Sequence, residues 1–207
     1  MRYTIFIGLL AATLLLLTAC DSGGEFRVVN QTSYPLYVVV GDAAEVTIPG
    51  GGERVFEVDT ENQHFFNPDV EKEVPVRLVG ETYQIYDETE EAYTDSTTVF
   101  IKVGETLNAY INPNRASVKI VNNSSQATQH VFLYKHNFVA ATYIADLGVL
   151  LPGESKFLRV DYATPSVNFY YYASVEMQDE TNYVFGDESN ILLKDQQFLM
   201  TLTDPEE

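Results

Sequence analysis

The chain has no tryptophan, one cysteine, and 12 Lys plus Arg against 30 Asp plus Glu. Each shortage excludes something. One thiol forms no internal disulfide, so the fold must be held by core packing. A formal net charge of −18 repels phosphate backbones, which argues against nucleic acid as a partner. The chain carries no C-x-x-C, no H-E-x-x-H and no G-x-S-x-G elbow. There are three histidines, His64, His130 and His136. On a continuous strand the last two share a face but stand about 20 Å apart, too far for one ion. No apolar run reaches the roughly 20 residues of a membrane-spanning helix. Nothing here assembles a nucleophile, a base and an orienting group, so the expectation is a protein that is not an enzyme.

The N-terminus carries the most specific pattern. Arg2 precedes an apolar run, Ile5 to Ala19, interrupted only by Gly8, Thr13 and Thr18. Its length suits the h-region of a secretory signal. The run ends in Leu17-Thr18-Ala19-Cys20. This resembles the lipobox of bacterial lipoproteins. The resemblance implies cleavage before Cys20, a diacylglycerol thioether on its sulfur and an acyl group on its amine. Residues 1–19 are then a signal peptide, and 20–25 a lipidated tether of at most roughly 17 Å. The expected location is the cell envelope, anchored to the inner or outer membrane and facing the periplasm or the exterior. Asp21, next to the cysteine, resembles the inner-membrane retention signal of enteric bacteria. Removing residues 1–19 leaves 11 Lys plus Arg against 30 Asp plus Glu, a formal net charge of −19.

The rest of the chain repeats itself. FRVVNQTS (26–33) lies over VKIVNNSS (118–125), and residues 87–113 align without a gap on 179–205, both at an offset of 92. Between them Ile48-Pro49-Gly50 matches Leu151-Pro152-Gly153 at 103, and Val55 to Asp59 matches Phe157 to Asp161 at 102. The second copy therefore carries extra residues near 136–147, and the first near 62–74. Period-two segments rich in Val, Ile, Tyr, Phe and Thr recur between Gly, Pro, Asn and Asp clusters, and no mature segment holds a 3.6-residue period. The expectation is an all-β chain of two tandem antiparallel sandwiches, 26–115 and 116–207, joined by a short linker around Pro113 that limits the angle between them. Pro35 suggests that the second strand lies at an edge. The Pro-Gly turn followed by a charged-apolar strand resembles Ig-like modules of bacterial surface proteins. The Cys-Trp-Cys pattern of true immunoglobulin domains is absent.

Two features offer binding chemistry. The stretch DETEEAYTD (87–95) returns as DETNYVFGD (179–187). Its acids Asp87, Glu88 and Asp95, and Asp179, Glu180 and Asp187, are the candidate calcium ligands, since calcium takes roughly six to eight oxygens. The same acids also suit solvated turns. In Phe169-Tyr170-Tyr171-Tyr172, alternation puts Tyr170 and Tyr172 on one strand face. If that face is exposed, it is a candidate surface for glycan or protein. The expected function is a non-catalytic envelope lipoprotein acting through contacts with another envelope or surface protein. The alternative is a ligand-binding lipoprotein with calcium at the acidic loops or glycan at the tyrosines, and no other cofactor.

Overall fold

The computed structural model describes residues 23–60 and 71–204. The signal peptide, Cys20 and most of the extra segment expected near 62–74 lie outside the described residues. Sixteen strands and no helix make up the rest. The first nine are β1 (Gly23–Asn30), β2 (Leu36–Val40), β3 (Val46–Ile48), β4 (Glu53–Asp59), β5 (Glu71–Gly80), β6 (Ile85–Asp87), β7 (Ala92–Thr94), β8 (Ser96–Lys102) and β9 (Thr106–Ile111). They form sheets β4-β1-β9 and β3-β2-β5-β8, with β6-β7 a separate ribbon. The other seven are β10 (Ala116–Asn122), β11 (Thr128–His136), β12 (Ala141–Asp146), β13 (Ser155–Val160), β14 (Tyr170–Met177), β15 (Asn182–Phe185) and β16 (Gln197–Leu202). They form sheets β13-β10-β16 and β12-β11-β14-β15.

Each unit is a sandwich closed on its own core. Alternation decides which residues enter it. In β14, Tyr171, Ala173, Val175 and Met177 point inward and meet Val118, Ile120 and Met200 of the facing sheet. In the first unit Phe26 and Val28 meet Leu36, Val38 and Leu78. The pairing is not wholly antiparallel as expected: β1 runs parallel to β9, and β10 parallel to β16. Nor does Pro35 mark an edge. It ends just before β2, an interior strand, and its carbonyl accepts a hydrogen bond from the Glu81 N–H.

The matched Asn-x-Thr/Ser-Ser stretches form the same buried staple in both units. Asn30 Nδ2 donates to the carbonyls of Tyr34, Ile48 and Pro49, and its Oδ1 accepts from the N–H and Oγ1 of Thr32. Asn122 repeats this toward Gln126 and Leu150, and accepts from Ser124. Both asparagines are fully buried. The repeated letters thus satisfy backbone groups that a turn would otherwise leave unpaired.

Elsewhere identical letters mislead. By strand pairing Asn30 meets Ile111, and Asn122 meets Leu202, so the last strands correspond at an offset of 91. The 92-residue alignment is one position out there. The Pro-Gly turns slip likewise: Gly51 and Gly153, both at positive φ, are the equivalent pair. A one-residue slip in a strand exchanges inside for outside, so buried positions and not matching letters set the register. The acidic echo is displaced further. Glu81 N–H bonds the Pro35 carbonyl as Gln178 N–H bonds the Ala127 carbonyl, which makes Thr82 the counterpart of Asp179. The first unit inserts the β6–β7 ribbon here, where the second has a tight β14–β15 turn. DETEEAYTD and DETNYVFGD are therefore not the same loop.

Candidate functional site

The extra residues near 136–147 build a longer hairpin. Strands β11 and β12 span 9 and 6 residues where β2 and β3 span 5 and 3. The hairpin turns at Asn137, whose Oδ1 accepts from the N–H groups of Val139 and Ala140. Phe138 there sits at φ +67°. An aromatic residue in the left-handed region costs about 1–2 kcal/mol. Backbone strain of this kind clusters where function demands a side chain in a fixed place.

The outward face of this sheet is aromatic. His130 stacks on Phe132, with centroids 5.0 Å apart. Tyr134 stacks on Tyr172 at 5.0 Å, and His136 on Tyr170 at 4.9 Å. Tyr143 of β12 joins Phe132 and Tyr134, and Phe138 meets Tyr170 edge-on at 5.4 Å. Tyr170 and Tyr172 complete an unbroken set of eight rings. Phe169 and Tyr171 are buried on the opposite side, as alternation demands. Tyr143 is 55% exposed and Val139, at the tip, 89%. Tyr134 and Tyr172 lie within 11° of parallel. Rings so stacked turn their faces to one another and their edges and hydroxyls outward. Sugars lie on open ring faces, whereas protein interfaces engage tyrosine edges and hydroxyls as well. Burial, followed by the neighbouring tyrosines 134 and 170, raises the Tyr172 hydroxyl pKa, so it remains a donor.

His130 and His136 lie along this same strand face, each stacked with a different ring, and do not converge. His130 Nδ1 is 2.6 Å from Asp146 Oδ2. Burial alone would raise the Asp146 carboxyl. The His130 hydrogen bond and the N–H groups of Gly148 and Val131 outweigh it and hold the pKa below its ordinary 3.8.

The six candidate calcium ligands are dispersed. Among the described residues no group of three or more His, Cys, Asp or Glu converges as a metal site would require. Asp87 accepts from the N–H groups of Thr89 and Glu90 within the β6–β7 turn. Asp179 accepts from Thr181, and Asp187 from the N–H and Oγ of Ser189. These bonds hold both carboxyls below their ordinary pKa. Glu88 and Glu180 are exposed turn residues. Asp95 instead forms a two-pronged ion pair across the units, 2.5 and 2.9 Å from the Arg159 guanidinium.

That pair belongs to a polar joint that the sequence did not announce. Glu81 is fully buried, with Lys119 Nζ at 2.7 Å, Gln197 Nε2 at 2.6 Å and the Tyr37 hydroxyl at 3.1 Å. Burial and then Glu81 push the Tyr37 pKa up to about 12. Tyr37 also stacks with Phe157 of the second unit. Asp195, at φ +64°, accepts from the N–H and Oγ of Ser33 and from Thr82 Oγ1. Only the shortness of the linker hinted that the units would touch.

No family model matches the sequence, and no curated protein matches it. Solved structures resemble it at low similarity. The Bacillus anthracis TIE protein superposes with a TM-score of 0.30 and 10% identity, over 88% of this chain and 34% of that one. A candidate cell adhesion protein from Bacteroides uniformis gives 0.38 and 7%, over 90% and 94%. The shaft pilin SpaA from Lactobacillus rhamnosus GG gives 0.29 and 6%, over 89% and 99%. The chain spans about a third of the length of the TIE protein.

Proposed function

We propose that this chain is a non-catalytic contact module of the bacterial cell envelope. It holds to a membrane through lipid on Cys20, and its two sandwiches, residues 26–115 and 116–207, are copies of one module. The observation that carries this reading is the exposed aromatic face of β11, β12 and β14. Aromatic residues dominate the energetics of protein interfaces, and exposed aromatic surface of this kind marks a partner's footprint. The extension of the hairpin that completes the face is present in only one of the two units, where β11 and β12 outrun β2 and β3. A requirement of folding would be met in both; a contact surface need be built once. The partner is another envelope or surface protein that brings apolar side chains and hydrogen-bond acceptors to the tyrosine hydroxyls.

The test is affinity capture of the full chain from native membranes, comparing it with a variant carrying Phe138→Gly, Tyr143→Ser and Tyr172→Ser. The expected result is at least one protein recovered with the parent and depleted at least tenfold with the variant, at unchanged melting of the fold. Identical recoveries would contradict the reading.

A further inference from the structure

The two histidines of the aromatic face have opposite hydrogen-bonding roles. Asp146 Oδ2 faces His130 Nδ1 at 2.6 Å. An ionised carboxylate only accepts, so His130 donates from Nδ1 whether it is neutral or charged. His136 accepts. The Phe138 N–H donates to His136 Nδ1 at 3.0 Å. That bond exists only while Nδ1 carries no proton, which fixes His136 as the neutral Nε2–H tautomer. The ring takes the part of an asparagine or aspartate side chain, which caps the N–H two residues on in the same way.

The capped N–H belongs to the strained residue of the hairpin tip. Phe138 sits at φ +67°, and such a conformation persists only where its surroundings over-determine it. Three supports hold the tip. Asn137 Oδ1 accepts from the Val139 and Ala140 N–H groups, the Asn137 N–H donates to the Ala140 carbonyl, and His136 holds Phe138 itself. The Phe138 ring then meets Tyr170 edge-on. Amide and backbone groups do not titrate, whereas histidine changes charge between about pH 5 and 8. The groups around the His136 imidazole are apolar or phenolic. Its cross-strand partners are Ala141 on β12 and Tyr170 on β14. Tyr134 precedes it on the same face of β11, with Tyr143 and Tyr172 against it, and Phe138 and Val139 follow in the turn. Lys135 points to the opposite face, to Asp161 and the Phe169 ring. Phenols stay neutral over this pH range.

We propose that His136 is a proton switch on the aromatic face: neutral, it holds Phe138 against Tyr170, and protonated, it releases the hairpin tip. A proton on Nδ1 sets two donors face to face, and the Phe138 N–H must turn away to water. The imidazolium itself stays stacked on Tyr170, because a cation is attracted to the face of a tyrosine ring. What moves is the phenylalanine. His130, between Asp146 and Glu176, has the opposite response, since its proton strengthens the bond to Asp146. The consequence rests on the reading of this face as a contact surface: at acidic pH the surface loses the ring at its tip, and a partner held at neutral pH is let go.

The experiment is NMR of the full chain in detergent micelles, from about pH 8 to about pH 5, with no partner present. Ring nitrogen shifts at the upper end should show His136 as the Nε2–H tautomer and His130 as the Nδ1–H tautomer. The amide order parameter of Phe138 should fall from about 0.85 to below about 0.6, with the midpoint of the His136 ring titration. His136→Asn keeps the acceptor without the titration and should leave the tip ordered throughout. His136→Phe keeps the stack without the acceptor and should leave it mobile throughout. An Nδ1–H tautomer at His136, a Phe138 order parameter independent of pH, or a pH response that persists in His136→Asn would overturn the proposal. Equal protein recovery by the parent and the Phe138, Tyr143 and Tyr172 variant would instead sink the contact reading and leave the switch standing, so the two fail separately.

Discussion

Glu81 has no solvent contact, yet it bears the charge around which the two units meet. A buried carboxylate is tolerated only when its oxygens are matched, and removing its cation costs more than the pair contributes. Lys119→Met should therefore destabilise the chain by roughly 3 kcal/mol. Glu81→Gln, which makes the residue that the second unit has at Gln178, should cost only about 1 kcal/mol. Denaturant titration separates them, and equal losses would show that the charge is not what matters. Phe138 behaves oppositely. Phe138→Gly removes an unfavourable left-handed conformation, so melting should hold or rise while partner recovery falls. A clear loss of stability would make the ring structural instead. Neither role was readable beforehand. Glu81 sat in a bland Gly-Glu-Thr, and positive φ at a phenylalanine has no sequence signature.

At the scale of elements, alternation told most of the story. Spacing alone puts Tyr170 and Tyr172 on one strand face and Phe169 and Tyr171 on the other, and burial identifies the second as the inner face. The two copies differ by extra residues near 136–147. The aromatic continuity of that segment with β14 is not legible in the sequence, because cross-strand neighbours depend on register. Matching letters failed for the same reason. The paired Pro-Gly and final-strand identities were one residue out, and the acidic echo was displaced by an inserted ribbon. The β11–β12 hairpin also carries a pH dependence. Asp146 has its carboxyl pKa depressed in the fold, so it adds stability in full above about pH 4, its unfolded value, and loses that contribution as pH falls through the lower folded value. Asp146→Asn should be less stable than the parent at pH 7, and the difference should shrink below about pH 4. Melting curves across that range test it; a gap independent of pH would assign the loss to packing.

At the scale of the whole molecule, two closed cores joined by Glu81, Asp195 and the Arg159–Asp95 pair form one body through polar contacts. The sequence made tandem sandwiches apparent through period-two patterning and duplication. It hid the joint, because each partner in it is far away along the chain and ordinary in composition. Arg159→Ala with Asp195→Ala should leave both cores folded but broaden the distribution of inter-unit orientations in small-angle scattering. An unchanged profile would mean that the linker alone holds them. The proposed contact surface is the aromatic face of β11, β12 and β14. The most direct test of that account is photo-crosslinking in native membranes, with a photoreactive phenylalanine at Tyr143 or Tyr172, and at Tyr110 or Leu199 as exposed controls. The account predicts a discrete protein adduct from 143 and 172 and none from the controls. Adducts of equal yield from all four positions, or from none, would contradict it.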